Sequence, residues 1–133
     1  MKPVFQSIIS NVDGNCHAAC IASLLEIPLD IIPDFFKGNP YLKRTLWLKS
    51  IGIQEVYGRV GDYPPPNGYG ILSVKSELFP NATHSVVWQG DGEGYGQIVH
   101  NPNPHDQRGI KIPNKDWIGF YVYAPLDPAT LIF

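Results

Sequence analysis

Cys16 stands where a turn of Asp13, Gly14 and Asn15 runs into an apolar stretch that reaches Ile27. A thiol becomes a nucleophile when its thiolate is stabilised, and the first turn of a helix offers unpaired amide hydrogens and a positive dipole end to do so. Amides in the preceding turn can converge on one point, which is what an oxyanion hole requires. Asn15 or Asp13 would cap the helix, and Asn15 is also a candidate oxyanion donor. Taken alone, the segment describes equally well a capped helix start with a small buried thiol.

His84 opens an apolar run, His84-Ser85-Val86-Val87-Trp88, after a turn. A base held at the end of a strand is rigid yet able to reach a cleft. The run passes through Gly90-Asp91-Gly92-Glu93-Gly94, a hairpin turn, and returns as Gln97 to Pro102. Pairing symmetric about Gly92 sets His84 opposite His100 and Asn101 one residue away. An amide oxygen there would accept the imidazole hydrogen, fix the tautomer and leave the other ring nitrogen facing the thiol.

Asp13-Gly14-Asn15-Cys16 followed by small residues, then His84 at a strand start, a hairpin and Asn101-Pro102, resembles the papain-like cysteine peptidase superfamily, closest to its bacteriocin-processing (C39-like) branch. The resemblance spans residues 6 to about 102. It implies an α+β, papain-like domain and a Cys16, His84, Asn101 triad. It also implies that a glutamine upstream of the nucleophile gives a side-chain donor to the oxyanion. Gln6 is the sole glutamine before Cys16. Its separation of ten residues is longer than usual in the family, so either Ser7 to Val12 bulges or Asn11 or a backbone amide takes that role.

The elements that must hold these residues can be read from periodicity. Ala19, Cys20, Ser23, Leu24 and Ile27 recur at helical spacing until Pro28 stops the helix. Leu29 to Phe36 allows another turn or two of helix, and Tyr41 to Ser50 a further helix ended by Gly52. Beyond it, strands are predicted at Ile53 to Tyr57, Tyr69 to Val74, His84 to Gln89, Gly96 to His100 and Ile118 to Tyr123, with a weak one near Ile110 to Ile112. Pro64-Pro65-Pro66 makes the Gly61 to Gly68 loop stiff. Helices first and antiparallel strands afterwards predict amino-terminal helices packed on one side of a sheet, in one domain spanning 1–133.

Composition narrows the function classes. Apolar residues at 44% and charged ones at 17% belong to a folded globular chain. The 13 glycines and 13 prolines demand long turns between short elements. A net charge of −2 with scattered basic residues offers no stripe for a nucleic acid. The amino terminus has no apolar leader and no stretch is long enough to span a bilayer, so a cytoplasmic protein without a membrane partner is expected. Cys16 and Cys20, both in one helix, are expected as reduced thiols, Cys20 in the core.

The expected reaction is acyl transfer without a cofactor: Cys16 attacks the carbonyl of a peptide, isopeptide or side-chain amide, His84 takes the thiol proton, and water or an amine resolves the thioester. Trp47, Trp88 and Trp117 suit a core, but Trp88 and His100 are the candidates for lining a substrate groove between helix and sheet. The competing reading is a catalytically inactive papain-like binding or inhibitory protein, which a His84 side chain standing apart from the sulfur would favour. A third, a metal held by Cys16, Cys20 and a histidine such as His17, lacks the usual ligand spacing. Nothing in the sequence specifies an oligomeric state.

Overall fold

The computed structural model describes residues 1–7, 15–33, 40–62, 67–79, 81–91 and 96–125. Helix α1 (Cys16–Leu25) ends at Glu26, whose left-handed backbone (φ 58°) lets its amide close onto the Ala22 carbonyl. The helix is thus shorter than its apolar spacing, which continues to Ile27. After a single 3₁₀ turn (Leu29–Ile31), helix α2 (Pro40–Ser50) follows, and Gly52 at φ 80° leads out of it. The Leu29 to Phe36 helix is therefore one 3₁₀ turn as far as residue 33, and the rest of it lies outside the described residues.

Five strands complete the α+β chain: β1 (Ile53–Arg59), β2 (Asn67–Lys75), β3 (Thr83–Asp91), β4 (Gln97–His100) and β5 (Trp117–Pro125). They form one antiparallel sheet in the order β1-β5-β2-β3-β4. The weak strand near Ile110 to Ile112 does not form. Those residues belong to a long segment between β4 and β5, and Ile112 is buried there against the sheet.

Alternation along the strands sends neighbours to opposite faces. Ile71, Val87 and Tyr121 meet Ala18, Cys20, Ile21 and Ala22 of α1. Leu72, Val86, Trp88 and Phe120 meet Ile112 and Trp117 on the other side. Both helices cover one face, as expected; the second face is closed by the segment after β4. That is why β3 is a nearly unbroken buried run. Trp88, expected to line a groove, is fully buried with its ring 4.6 Å from that of Phe120, because the Ile112 segment lies over it.

The β3–β4 register also differs from the symmetric hairpin. Val87, rather than His84, faces His100, and a bulge follows between Val87 and Trp88. The tip, residues 92–95, lies outside the described residues, as do the Pro64-Pro65-Pro66 run, Asp13 and Gly14. Among the described residues no helix is long and apolar enough to cross a membrane.

Candidate active site

Three elements converge on Cys16. Helix α1 presents its first residue, β3 contributes His84 from its second position, and the segment leaving β4 contributes Asn101. The Cys16 thiol is hydrogen-bonded to the His84 imidazole. On the far side of the ring, Nε2 lies 2.7 Å from the Asn101 Oδ1. His84 and Asn101 are each only 7% exposed, so the ring is held between thiol and amide away from bulk water.

The orientation of Asn101 is fixed by backbone groups whose roles are unambiguous. Its Oδ1 accepts the Asn103 amide at 3.1 Å, and its Nδ2 donates to the Gly109 carbonyl at 2.9 Å and to the Asp106 Oδ2 at 3.0 Å. The amide oxygen must therefore face the ring, His84 Nε2 must carry hydrogen, and Nδ1 is left for the sulfur. Asn101 reaches His84 from beyond the end of β4, so contact is made through this tight turn instead of through strand register.

Behind Asn101, Asp106 is buried and gripped by Arg108, which donates through Nε at 3.0 Å and through its terminal nitrogen at 2.9 Å. Burial opposes the charge of Asp106, but Arg108, Glu77 and Asn101 hold its carboxyl far below the ordinary carboxylate range. A fixed negative charge thus sits one residue behind the imidazole.

The electrostatics favour a thiolate–imidazolium pair. Burial pushes the Cys16 thiol up; the hydrogen bond and charge of His84, together with the hydrogen bond of the Ser85 amide, outweigh this and leave it below the ordinary value, and the Ser85 hydroxyl lies within reach of the sulfur. For His84, burial pulls down while the Cys16 bond and charge, Asn101 and the Asp106 charge raise it, with a net rise. Each shift is in the direction that stabilises the ionised pair. Cys20, one turn along α1, is fully buried, and burial raises it well above an ordinary thiol. Both cysteines are unpaired.

Residues 6 and 7 bridge the two halves of this site. The Gln6 amide donates to the Pro102 carbonyl at 3.0 Å, next to Asn101. The Ser7 amide donates to Asn15 Oδ1 at 3.1 Å, and Asn15 Nδ2 donates to Ser7 Oγ at 2.8 Å, next to Cys16. The long separation between Gln6 and Cys16 is thereby closed at its base, and the Gln6 backbone is held between the chain neighbours of Cys16 and Asn101. Asn15 occupies the N-cap, with its carbonyl accepting the Ala19 amide, but its side chain makes no cap bond and is engaged with Ser7. Asn11 lies outside the described residues.

His100 does not line a groove. It is 6% exposed, its Nε2 donates to the Val4 carbonyl at 2.7 Å, and Phe5 packs edge-on against it at 5.0 Å. Its work is to moor the chain immediately before Gln6. An apolar cavity of about 270 Å³ between helices and sheet, lined by Ile21, Leu24, Leu48, Ile53, Tyr69 and Tyr123, includes none of Cys16, His84 and Asn101.

Sequence spacing singled out none of Ser85, Asp106 and Arg108, and pointed to His17 only as a metal ligand. Ser85 could have been found as the β3 neighbour of His84 on the helix-facing side, and His17 as a polar residue on an apolar helix. Asp106 and Arg108 carry only a two-residue spacing as their signal. No protein-family model, curated protein or solved structure matches this chain.

Proposed function

We propose that the chain is a papain-like cysteine hydrolase or acyl transferase, acting on a peptide, isopeptide or side-chain amide of a peptide or protein substrate. The observation that carries this reading is the Cys16–His84–Asn101 hydrogen-bonded series, with the imidazole buried and its tautomer set by Asn101. In the proposed cycle the Cys16 thiolate adds to the carbonyl carbon while His84 holds the thiol proton. The tetrahedral oxyanion is met by first-turn amides of α1 and by the Gln6 side chain. Collapse breaks the C–N bond, His84 protonates the departing amine, and a thioester remains. His84 then takes a proton from water or an acceptor amine, whose attack releases the acyl group and the thiol.

The test is covalent trapping. An electrophilic peptide probe such as a peptidyl vinyl sulfone should modify Cys16 in the wild type, with His84→Ala slowing the reaction at least about a hundredfold. Equal slow labelling of both proteins would overturn the reading.

A further inference from the structure

His17 follows the nucleophile directly, yet the proposed chemistry does not use it. It is buried, and both of its ring nitrogens have partners. Nδ1 lies 3.1 Å from the Ser85 Oγ, while Nε2 lies 3.2 Å from Glu55 Oε2 and 3.2 Å from the Tyr123 hydroxyl. Ser85 is the residue whose hydroxyl also reaches the Cys16 sulfur. Ser85 thus stands between the two side chains, and it has one hydroxyl hydrogen to give.

The partners of Nε2 decide where the proton of His17 sits. Tyr123 donates to Glu55 Oε2 at 2.5 Å, so towards His17 it can offer only a lone pair. Glu55 is a carboxylate, paired with Arg44 at 2.8 Å. Both groups facing Nε2 are therefore acceptors, and Nε2 must carry hydrogen. In the neutral ring Nδ1 is then bare and takes the Ser85 hydroxyl hydrogen. In the doubly protonated ring Nδ1 becomes a donor, and the hydroxyl is released to the sulfur.

We propose that His17 is a positioning residue for the nucleophile, its Nδ1 proton deciding whether Ser85 donates to the imidazole or to the Cys16 sulfur. The proposal rests on the reading of Cys16 as nucleophile. The charged and titratable groups around His17 are Glu55 from β1, Arg44 from α2, Tyr121 and Tyr123 from β5, and Cys16 and Cys20 from α1, with His84 of β3 beyond the sulfur. Burial, aided by the Arg44 charge, outweighs Glu55 and holds His17 below the ordinary histidine value, so the ring is neutral near neutral pH. There the sulfur has the Ser85 amide but not its hydroxyl. Acidification adds the second donor, which keeps the thiolate accessible at lower pH.

A double-mutant cycle and a spectrum test this. The variant His17→Gln places an amide near the Nε2 position and leaves nothing at Nδ1 to compete for the Ser85 hydroxyl. On the part of the acid limb where the wild-type His17 ring is still neutral, its rate of iodoacetamide alkylation at Cys16 should rise about tenfold above wild type, as expected for one hydrogen bond to a charged acceptor. Adding Ser85→Ala should abolish that gain, whereas Ser85→Ala alone should change the rate less than about twofold. Slower alkylation in His17→Gln, or equal effects of Ser85→Ala in both backgrounds, overturns the proposal. Nitrogen-15 spectra of the wild type should show the His17 ring protonated at Nε2 near neutral pH, and an Nδ1-protonated neutral ring overturns it even if a variant fails to fold. A Cys16 that is no more reactive than an ordinary thiol in every variant would instead sink the nucleophile reading itself.

Discussion

At the scale of residues, Cys16, His84 and Asn101 were legible because each sits beside a break in local pattern: a turn before a helix, a turn before a strand, a proline after one. What tunes them was not. Asp106 acts through Asn101, and its contact depends on a turn closed by Asn103 and Gly109, a relation with no periodic signature. Because the Asp106 charge raises His84, Asp106→Asn should move the acid limb of Cys16 alkylation to higher pH by up to about one unit. A limb that stays in place would show that the carboxylate only supports the turn. Gln6 is separable from the triad. If it donates to the oxyanion, Gln6→Ala should lower kcat about a hundredfold while leaving Cys16 alkylation near wild type.

At the scale of elements, the two helices and the five strands follow from spacing and β-branched runs, and their ends shift by only a few residues. Register was the failure. A hairpin centred on Gly92 is the simplest pairing, but the bulge after Val87 slides β4 so that His100 turns inwards to Val4, and Asn101 meets His84 beyond the ladder. Gly96 makes this return possible. Its φ is 70°, and a Cβ there would stand 2.4 Å from the Gln89 carbonyl oxygen. Gly96→Ala should therefore cost more than about 1 kcal/mol in urea denaturation, from backbone strain alone. It should also slow Cys16 alkylation by disturbing the strand that ends at Asn101.

At the scale of the whole molecule, the expectation of one helix-covered face was right, and the cover on the other face was invisible. Ile112 lies in a segment without helical or strand period, yet together with Trp117 at the start of β5 it seals Trp88 and Phe120. The helical face is pinned by a buried polar cluster in which Glu55 of β1 binds Arg44 of α2, Tyr123 of β5 and His17 of α1. Burial raises the Glu55 carboxyl, but His17, Arg44 and Tyr123 overcome this and lower it to about 2, against an ordinary 4.5. A depressed carboxylate contributes stability that is complete above the unfolded value and lost as pH falls through the folded one. Thermal stability should accordingly decline from about pH 4.5 towards pH 2, and Glu55→Gln should flatten that decline. At neutral pH the same substitution should cost about 3 kcal/mol, since it removes one charge of the buried Glu55–Arg44 pair.

The proposal of a nucleophilic thiolate at Cys16 is most directly tested by the pH dependence of its alkylation with iodoacetamide, read by mass spectrometry of the Cys16 peptide, in the wild type and in His84→Ala. The wild type should label at least about tenfold faster than a free thiol near pH 6, with the advantage lost in His84→Ala. Labelling of wild-type Cys16 that follows an ordinary thiol titration, unchanged by the loss of His84, would contradict the account.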